Sequence, residues 1–97
     1  MKETISKLEE KVNELNHIHK LSKKSPCQFE ILSEHGGYQV VLSANPPYRY
    51  YVYPVTIGYK SEKDTLKELI GEELQGNLTE DIAYCRFRVF RNYKGRF

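Results

Sequence analysis

The sequence predicts an α+β fold: an N-terminal amphipathic helix, then a mainly antiparallel sheet in the order β-β-β-α-β with helix on one face. Three features lead to this fold class. Two alternating segments flank a Gly-Gly dipeptide, helical periodicity marks both the amino terminus and residues 62–75, and residues 48–59 are rich in aromatic and β-branched residues. We expect an N-terminal helix over residues 1–24 and a small α+β domain over residues 25–97.

The N-terminal helix is predicted from Glu3 to about Lys24, where Pro26 ends it because the residue before proline is driven out of the α region. Its first apolar residues recur at spacings of three and four, as in a two-heptad coiled-coil seam. That seam consists of Ile5, Leu8, Val12 and Leu15. Two heptads are too short to be stable alone, so we predict a homodimer through this seam, with Ile18 and Leu21 facing the chain's own sheet. The alternative is a helix that lies wholly on that sheet.

A β-hairpin is predicted from Cys27 to Ala44, with Gly36 and Gly37 as a two-residue loop that tolerates the positive φ angles of a tight turn. The pairs on one face are then nearly all apolar, and those on the other are mostly polar. The apolar face pairs His35 with Tyr38, Ser33 with Val40, Ile31 with Leu42, and Phe29 with Ala44. Because a hairpin alone is only marginally stable, another layer must cover this face.

The next strand is predicted in the tyrosine-rich run from Tyr48 to Tyr59. Pro54 has no N–H to donate to a ladder, so this strand lies at an edge of the sheet or bends at the proline.

The connector before that strand, Asn45-Pro46-Pro47-Tyr48, resembles the NPPY motif of amino-group DNA methyltransferases. In that family the Asn side chain and a prolyl carbonyl hold the target amine while the aromatic ring stacks on the flipped base. The family also needs a glycine-rich cofactor loop in a doubly wound sheet. Here the preceding glycines form the predicted hairpin loop, so we expect a stiff connector.

A second helix is predicted from Glu62 to Gln75, because Ser61 is placed as its N-cap and Gly76 as its stop. The apolar face expected to meet the core consists of Leu66, Leu69, Ile70 and Leu74.

The last strand is predicted from Ile82 to Arg91, where the side chains alternate in character. One face would carry Ala83, Cys85, Phe87 and Val89, and the solvent face would carry Tyr84, Arg86, Arg88 and Phe90.

Charged residues are segregated along the chain although the formal net charge is only +2. Lys and Arg outnumber Asp and Glu by six to four in residues 1–24 and by five to none in residues 82–97, whereas acidic residues lead by seven to three in residues 60–81. We therefore expect an acidic surface on the second helix and a basic surface at the carboxy terminus.

Several function classes are disfavoured by residue types and spacings. No apolar run reaches the roughly 18 to 20 residues of a membrane span, and the amino terminus has no signal-peptide core, so we expect a cytoplasmic protein that does not bind membranes. Cys27 and Cys85 lack metal-ligand spacing and are expected to be buried thiols. His17 and His19 point about 200° apart on a helix, so no metal or other cofactor is predicted. No nucleophile with an orienting acid is indicated near His35, which argues against an enzyme.

We predict a small non-enzymatic regulatory or inhibitory protein that acts by binding a partner protein. Five of the eight tyrosines lie between Tyr48 and Tyr59, and Tyr and Arg are the residues that dominate interface hot spots. The predicted partner-binding residues are Tyr48, Arg49, Tyr50, Tyr51 and Tyr53. The chain is similar to the short Lys-, Glu- and Tyr-rich accessory proteins of phages and other mobile elements, and this resemblance implies docking on host machinery.

The alternative hypothesis is a nucleic-acid-binding protein. Arginine alternating with aromatic residues on an open sheet face suits single strands or RNA, whereas the acidic second helix would repel phosphate. The residues predicted for this interface are Tyr84, Arg86, Arg88, Phe90, Arg91, Lys94 and Arg96, with Lys20, Lys23 and Lys24 as backbone contacts.

Overall fold

The computed structural model describes residues 6–44 and 52–94. In chain order the elements are α1 (Lys7–Ile18), β1 (Cys27–Glu34), β2 (Gly37–Ala44), β3 (Val52–Pro54), α2 (Glu62–Leu74) and α3 (Asn77–Lys94). The strands form one antiparallel sheet in the order β1-β2-β3. The predicted α+β class is confirmed. The predicted order β-β-β-α-β is wrong, because a helix stands in place of its last strand.

Helix α1 starts with a capping box, in which Ser6 and Glu9 each accept a hydrogen bond from the other's backbone N–H. It ends at Ile18 and not at the predicted Lys24, because Lys20 takes a positive φ of 58° and turns the chain away. Backbone hydrogen bonds typical of a Schellman motif close this end without a glycine.

The hairpin forms with the predicted facing but in a different register. Its loop is His35-Gly36 rather than Gly36-Gly37, with φ values of 54° and 77°, and positive φ at both positions is what a type I′ turn requires. Tyr38 therefore pairs with Ser33 instead of His35. This shift of the pairing by an even number of residues leaves every side chain on its predicted face.

Strand β3 lies at an edge of the described sheet, as predicted, and the chain beyond Pro54 continues along β2 through irregular hydrogen bonds. The buried Thr56 hydroxyl accepts a hydrogen bond from the Val40 N–H at 2.9 Å. Further along, a Cβ on Gly37 would lie 3.0 Å from the backbone carbon of Tyr59. This close approach leaves no room for a side chain at position 37 of β2.

Helix α2 begins at Glu62 as predicted and ends at Leu74, one residue before the predicted Gln75. The Ser61 hydroxyl accepts a hydrogen bond at 3.1 Å from a backbone N–H of the first turn, and Gly76, with φ of 78°, follows the helix. Thr65 and Leu69 are fully buried, whereas Leu74 is 80% exposed. The buried face is therefore centred on Thr65 and Leu69 and does not extend to the end of the predicted stripe.

Residues 82–91 lie within α3 and do not form the predicted strand. Four apolar residues recur at spacings of four, three and four, which is the stripe of a helix face. They are Leu78, Ile82, Cys85 and Val89, and all are buried. A strand would have placed Phe87 on the core face with Cys85, but the Phe87 side chain is 56% exposed.

The three helices share one core with the inner face of the sheet. The core includes Leu8, Val12, Leu15, Phe29, Val40, Leu42, Leu69, Ile82 and Val89. At the surface, Lys11 of α1 forms an ion pair with Glu73 of α2 at 2.6 Å, and this contact raises the pKa of the Lys11 ammonium. Helix α1 is therefore fixed against the sheet on one side and against α2 on the other.

Candidate functional site

The predicted dimer seam faces the chain's own core. Leu8, Val12 and Leu15 are at most 5% exposed and pack with the sheet and the other helices, while Ile5 lies outside the described residues. These three side chains cannot meet a second helix because the same chain covers them. The intramolecular alternative therefore replaces the coiled-coil interpretation of α1, and the homodimer stays a prediction without an assigned surface.

Of the five predicted partner-binding residues, the structure describes Tyr53. Its hydroxyl donates to Oδ1 of Asp81 at 3.2 Å, and its ring lies edge-on to that of Tyr84 with centroids 5.9 Å apart. Tyr53 thus joins β3 to α3 within the molecule. The other four, Tyr48, Arg49, Tyr50 and Tyr51, lie outside the described residues, as does the NPPY-like connector.

The surroundings of Asp81 shift the pKa of its carboxyl upward. Burial raises the pKa of the Asp81 carboxyl, the hydrogen bond from Tyr53 opposes that shift, and the neighbouring Glu72 and Glu80 reinforce it. Because the folded pKa lies above the unfolded one, the folded state binds this proton more readily. The stability that this group contributes is fully present below the unfolded pKa and is lost as pH rises through the folded pKa.

The two outer edges of the described sheet differ in what they offer to a partner. Strand β3 has three residues and ends in Pro54, which has no N–H, so its edge is a poor template for another strand. Strand β1 has eight residues and forms the opposite edge. The longer edge is therefore the better candidate for a binding surface.

The outer edge of β1 is already paired at one position by a side chain of α1. The Asn16 side-chain amide donates to the carbonyl of Phe29 at 3.1 Å and accepts from the Phe29 N–H at 2.8 Å. The backbone N–H and C=O groups of Phe29 thus point away from β2. Because hydrogen-bonding direction alternates along an antiparallel strand, the N–H and C=O groups of Ile31 and Ser33 also point outward. Within the described part of the chain, no hydrogen bond reaches these four groups.

A groove runs along this edge between α1 and β1. Two cavities of about 440 and 390 Å³ adjoin there, and Glu9 and Ile31 line both. The helical wall is a stripe in which Glu9, Asn13 and Asn16 recur at spacings of four and three. We call this surface the β1 edge groove; it is bounded by the N-cap Ser6, Glu9 and Asn13 of α1, Glu30, Ile31 and Ser33 of β1, and Glu62 of α2.

The basic and aromatic residues of the predicted nucleic-acid interface do not all share one face. On a helix, Tyr84 and Arg86 point about 200° apart, whereas Arg88 lies one turn from Tyr84 and donates to its hydroxyl at 2.9 Å. The sheet face assumed by this hypothesis is therefore not formed by these residues. Of the remaining residues, Phe90, Arg91 and Lys94 belong to α3, and Arg96 lies outside the described residues.

The two cysteines and His19 lie in or against the core. Cys27 and Cys85 are free thiols with no exposure, as predicted, and the hydrogen bond to Cys27 together with burial raises the pKa of the Cys85 thiol. The His19 ring lies 6.2 Å from that of Phe29. Among residues 6–44 and 52–94, no group of three or more His, Cys, Asp or Glu side chains is placed to hold a metal ion. In the same ranges, no helix combines the length and the apolar character needed to cross a membrane.

The β1 edge groove was not predicted from the sequence, although two signals pointed toward it. Asn16 is a poor helix former in the middle of the predicted helix from Glu3 to Lys24, which suggests a side-chain hydrogen bond. In addition, the first strand of a three-stranded meander must lie at an edge, but the predicted fourth strand concealed that consequence.

Comparison of the chain with protein-family models, with curated proteins and with solved structures gives no match.

Proposed function

We propose that this protein is a non-enzymatic regulator or inhibitor that binds a partner protein, and that the partner adds an extended segment along the outer edge of β1. One observation carries this proposal: the N–H and C=O groups of Ile31 and Ser33 point outward in strand geometry, beside the position where Asn16 already pairs with Phe29. In this mode of recognition, main-chain hydrogen bonds supply affinity and adjacent pockets supply specificity.

The ends of the β1 edge groove limit the segment that fits. Asn16 occupies the edge at Phe29, and the hairpin turn begins at His35. At about 3.3 Å per residue, the strand between them accommodates a segment of roughly five residues. Side chains of that segment would enter the cavities against Glu9 and Ile31.

The proposal moves the partner-binding surface from the tyrosine run to the opposite edge of the sheet. The reason is that Tyr53 is engaged with α3 and that Pro54 ends β3. The docking function inferred from sequence is kept, and its site is changed.

Selection of peptides on the folded chain tests this function. A phage-displayed library of random peptides is selected on the wild type, and the enriched peptides are then measured against Ser33→Pro and Ser33→Ala. The Ser33 N–H points outward, so proline removes one outward donor and no ladder hydrogen bond, while alanine keeps that donor and is the matched control. Thermal melts of all three chains establish that they are folded.

We expect the enriched peptides to bind the wild type and Ser33→Ala equally and to bind Ser33→Pro at least about tenfold more weakly. If no peptide is enriched, or if the folded Ser33→Pro chain binds as tightly as the other two, strand addition at this edge is refuted.

A further inference from the structure

We infer that the segment bound in the β1 edge groove is basic, with Lys or Arg side chains directed at the carboxylates of the groove. This inference rests on the proposed function of that edge and adds the chemistry of the partner.

The described walls of the groove are acidic. Glu9 lines both cavities, Glu30 lines the first and Glu62 the second, and no Lys, Arg or His is among the described residues that line either. Lysine and arginine also carry long apolar stems, which would cover the half-buried Ile31 while the charged group reaches a carboxylate.

Hydrogen bonds hold all three carboxylates in place, those of Glu9 and Glu62 at the groove and that of Glu30 on the opposite face of β1, toward β2. Glu9 accepts from the Ser6 N–H in the capping box. Oε1 of Glu30 accepts from the Ser43 hydroxyl at 3.1 Å, and Oε2 of Glu62 accepts from the Leu8 N–H at 3.3 Å. A carboxylate has two oxygens with several lone pairs, so each of these groups retains capacity for a cation.

Charge also argues against a second copy of this chain as the occupant. Pairing of two β1 edges would bring Glu30 and Glu34 of one copy close to those of the other, and like charges on neighbouring strands are destabilising. Charged side chains on an edge strand are a common protection against such self-pairing. A basic segment converts the same charges into attraction.

The first measurement compares three fluorescein-labelled peptides that share an alternating Val/Thr framework and carry Lys, Gln or Glu at every second position. Fluorescence anisotropy is recorded with the wild-type chain at about 20 mM and about 150 mM salt, since exposed charge pairs are screened at the higher value. We expect the Lys peptide to bind about tenfold more tightly than the Gln peptide at low salt, as two to three exposed ion pairs would give. The Glu peptide should bind most weakly, and the differences should shrink at high salt.

The second measurement locates the charge effect. The double variant Glu9→Gln with Glu62→Gln keeps an acceptor oxygen at each side chain and removes two charges from the groove. Its control is Glu10→Gln with Glu80→Gln, two exposed residues that line neither cavity. Both variants raise the formal net charge from +2 by the same two units. A nonspecific effect of net charge would therefore weaken Lys-peptide binding equally in both.

We expect the groove variant to bind the Lys peptide about fivefold more weakly than the wild type at low salt, and the control to differ from the wild type by less than about twofold. Equal affinity for the Lys and Glu peptides, or equal losses in the two variants, would overturn the inference. If the Gln peptide binds and needs the Ser33 N–H while charge has no effect, the basic partner is wrong and the strand-addition function stands. If none of the peptides binds, both fail.

Discussion

Replacing Asn16 with alanine tests whether the α1 side chain that occupies the β1 edge stabilises the fold. The change removes two half-buried hydrogen bonds to the backbone of Phe29, at 3.1 and 2.8 Å. Each such bond contributes about 1 kcal/mol net, so their loss lowers the free energy of unfolding by about 2 kcal/mol. The higher helix propensity of alanine offsets about 0.5 kcal/mol of this.

The matched control is Asn13→Ala. Asn13 lies one turn earlier on the same helix, is exposed and makes no hydrogen bond with the described residues. Asn13→Ala therefore gains the same helix propensity but loses no hydrogen bond. For a domain of this size, we expect thermal melts followed by circular dichroism to show Asn16→Ala lower in Tm by about 6 to 12 °C and Asn13→Ala higher by about 2 to 4 °C. Equal Tm values for the two variants would refute the claim that Asn16 holds the edge.

Three further outcomes follow from the packing. Gly71→Ala should raise the free energy of unfolding, measured in urea, by about 1 kcal/mol, because a Cβ at this position meets nothing within 4 Å. Gly37→Ala should lower the free energy of unfolding by about 1 to 3 kcal/mol, because its Cβ would lie 3.0 Å from the backbone of Tyr59. A Gly37→Ala chain more stable than Gly71→Ala would contradict the packing. The raised pKa of the Asp81 carboxyl stabilises the wild type at low pH, where the carboxyl is protonated, and not near pH 7. The Tm of Asp81→Asn should therefore rise relative to that of the wild type between about pH 3 and about pH 7. A Tm difference that does not change with pH would contradict this. Cys27 and Cys85 have no exposure, so an aromatic disulfide reagent should label them only in denaturant; rapid labelling of the native chain would count against their burial.

The hairpin shows what local pattern determines and what it does not. Alternation fixed which side chains share a face, and that prediction is confirmed because the even shift in pairing preserves facing. The pattern could not decide whether His35 or Gly37 joins Gly36 in the turn. It also could not show that position 37 must lack a side chain, because that follows from the approach of Tyr59, which lies far away in sequence.

The carboxy-terminal element shows how two periodicities can coexist in one segment. Residues 82–91 alternate as a strand would, but Ile82, Cys85 and Val89 also fit the face of a helix. Helix wins because Leu78 extends the same stripe one turn earlier and no Gly or Pro interrupts residues 77–94. The 18-residue length of this segment without Gly or Pro is the sequence feature that favours a helix over a strand.

Strand β1 lies at an open edge of the sheet because residues 82–91 belong to helix α3 and do not form a fourth strand. With a fourth strand expected, nothing in the sequence assigned β1 to an edge, and the pairing of Asn16 with Phe29 joins residues on different elements. Helix-forming residues, helix caps and the face on which each strand side chain lies are local properties that can be predicted from short stretches of sequence. Which strand edge stays open is a property of the whole sheet.

Hydrogen exchange of individual backbone amides, measured by NMR, tests whether the outer edge of β1 is open, because it reports which of its N–H groups point to solvent. We expect rapid exchange at Ile31 and Ser33 and protection at Glu30 and Leu32, whose N–H groups point toward β2. Addition of the Lys peptide should then protect Ile31 and Ser33. Protection of those two amides in the free chain to the same degree as their neighbours would contradict an open edge and, with it, the proposed binding site.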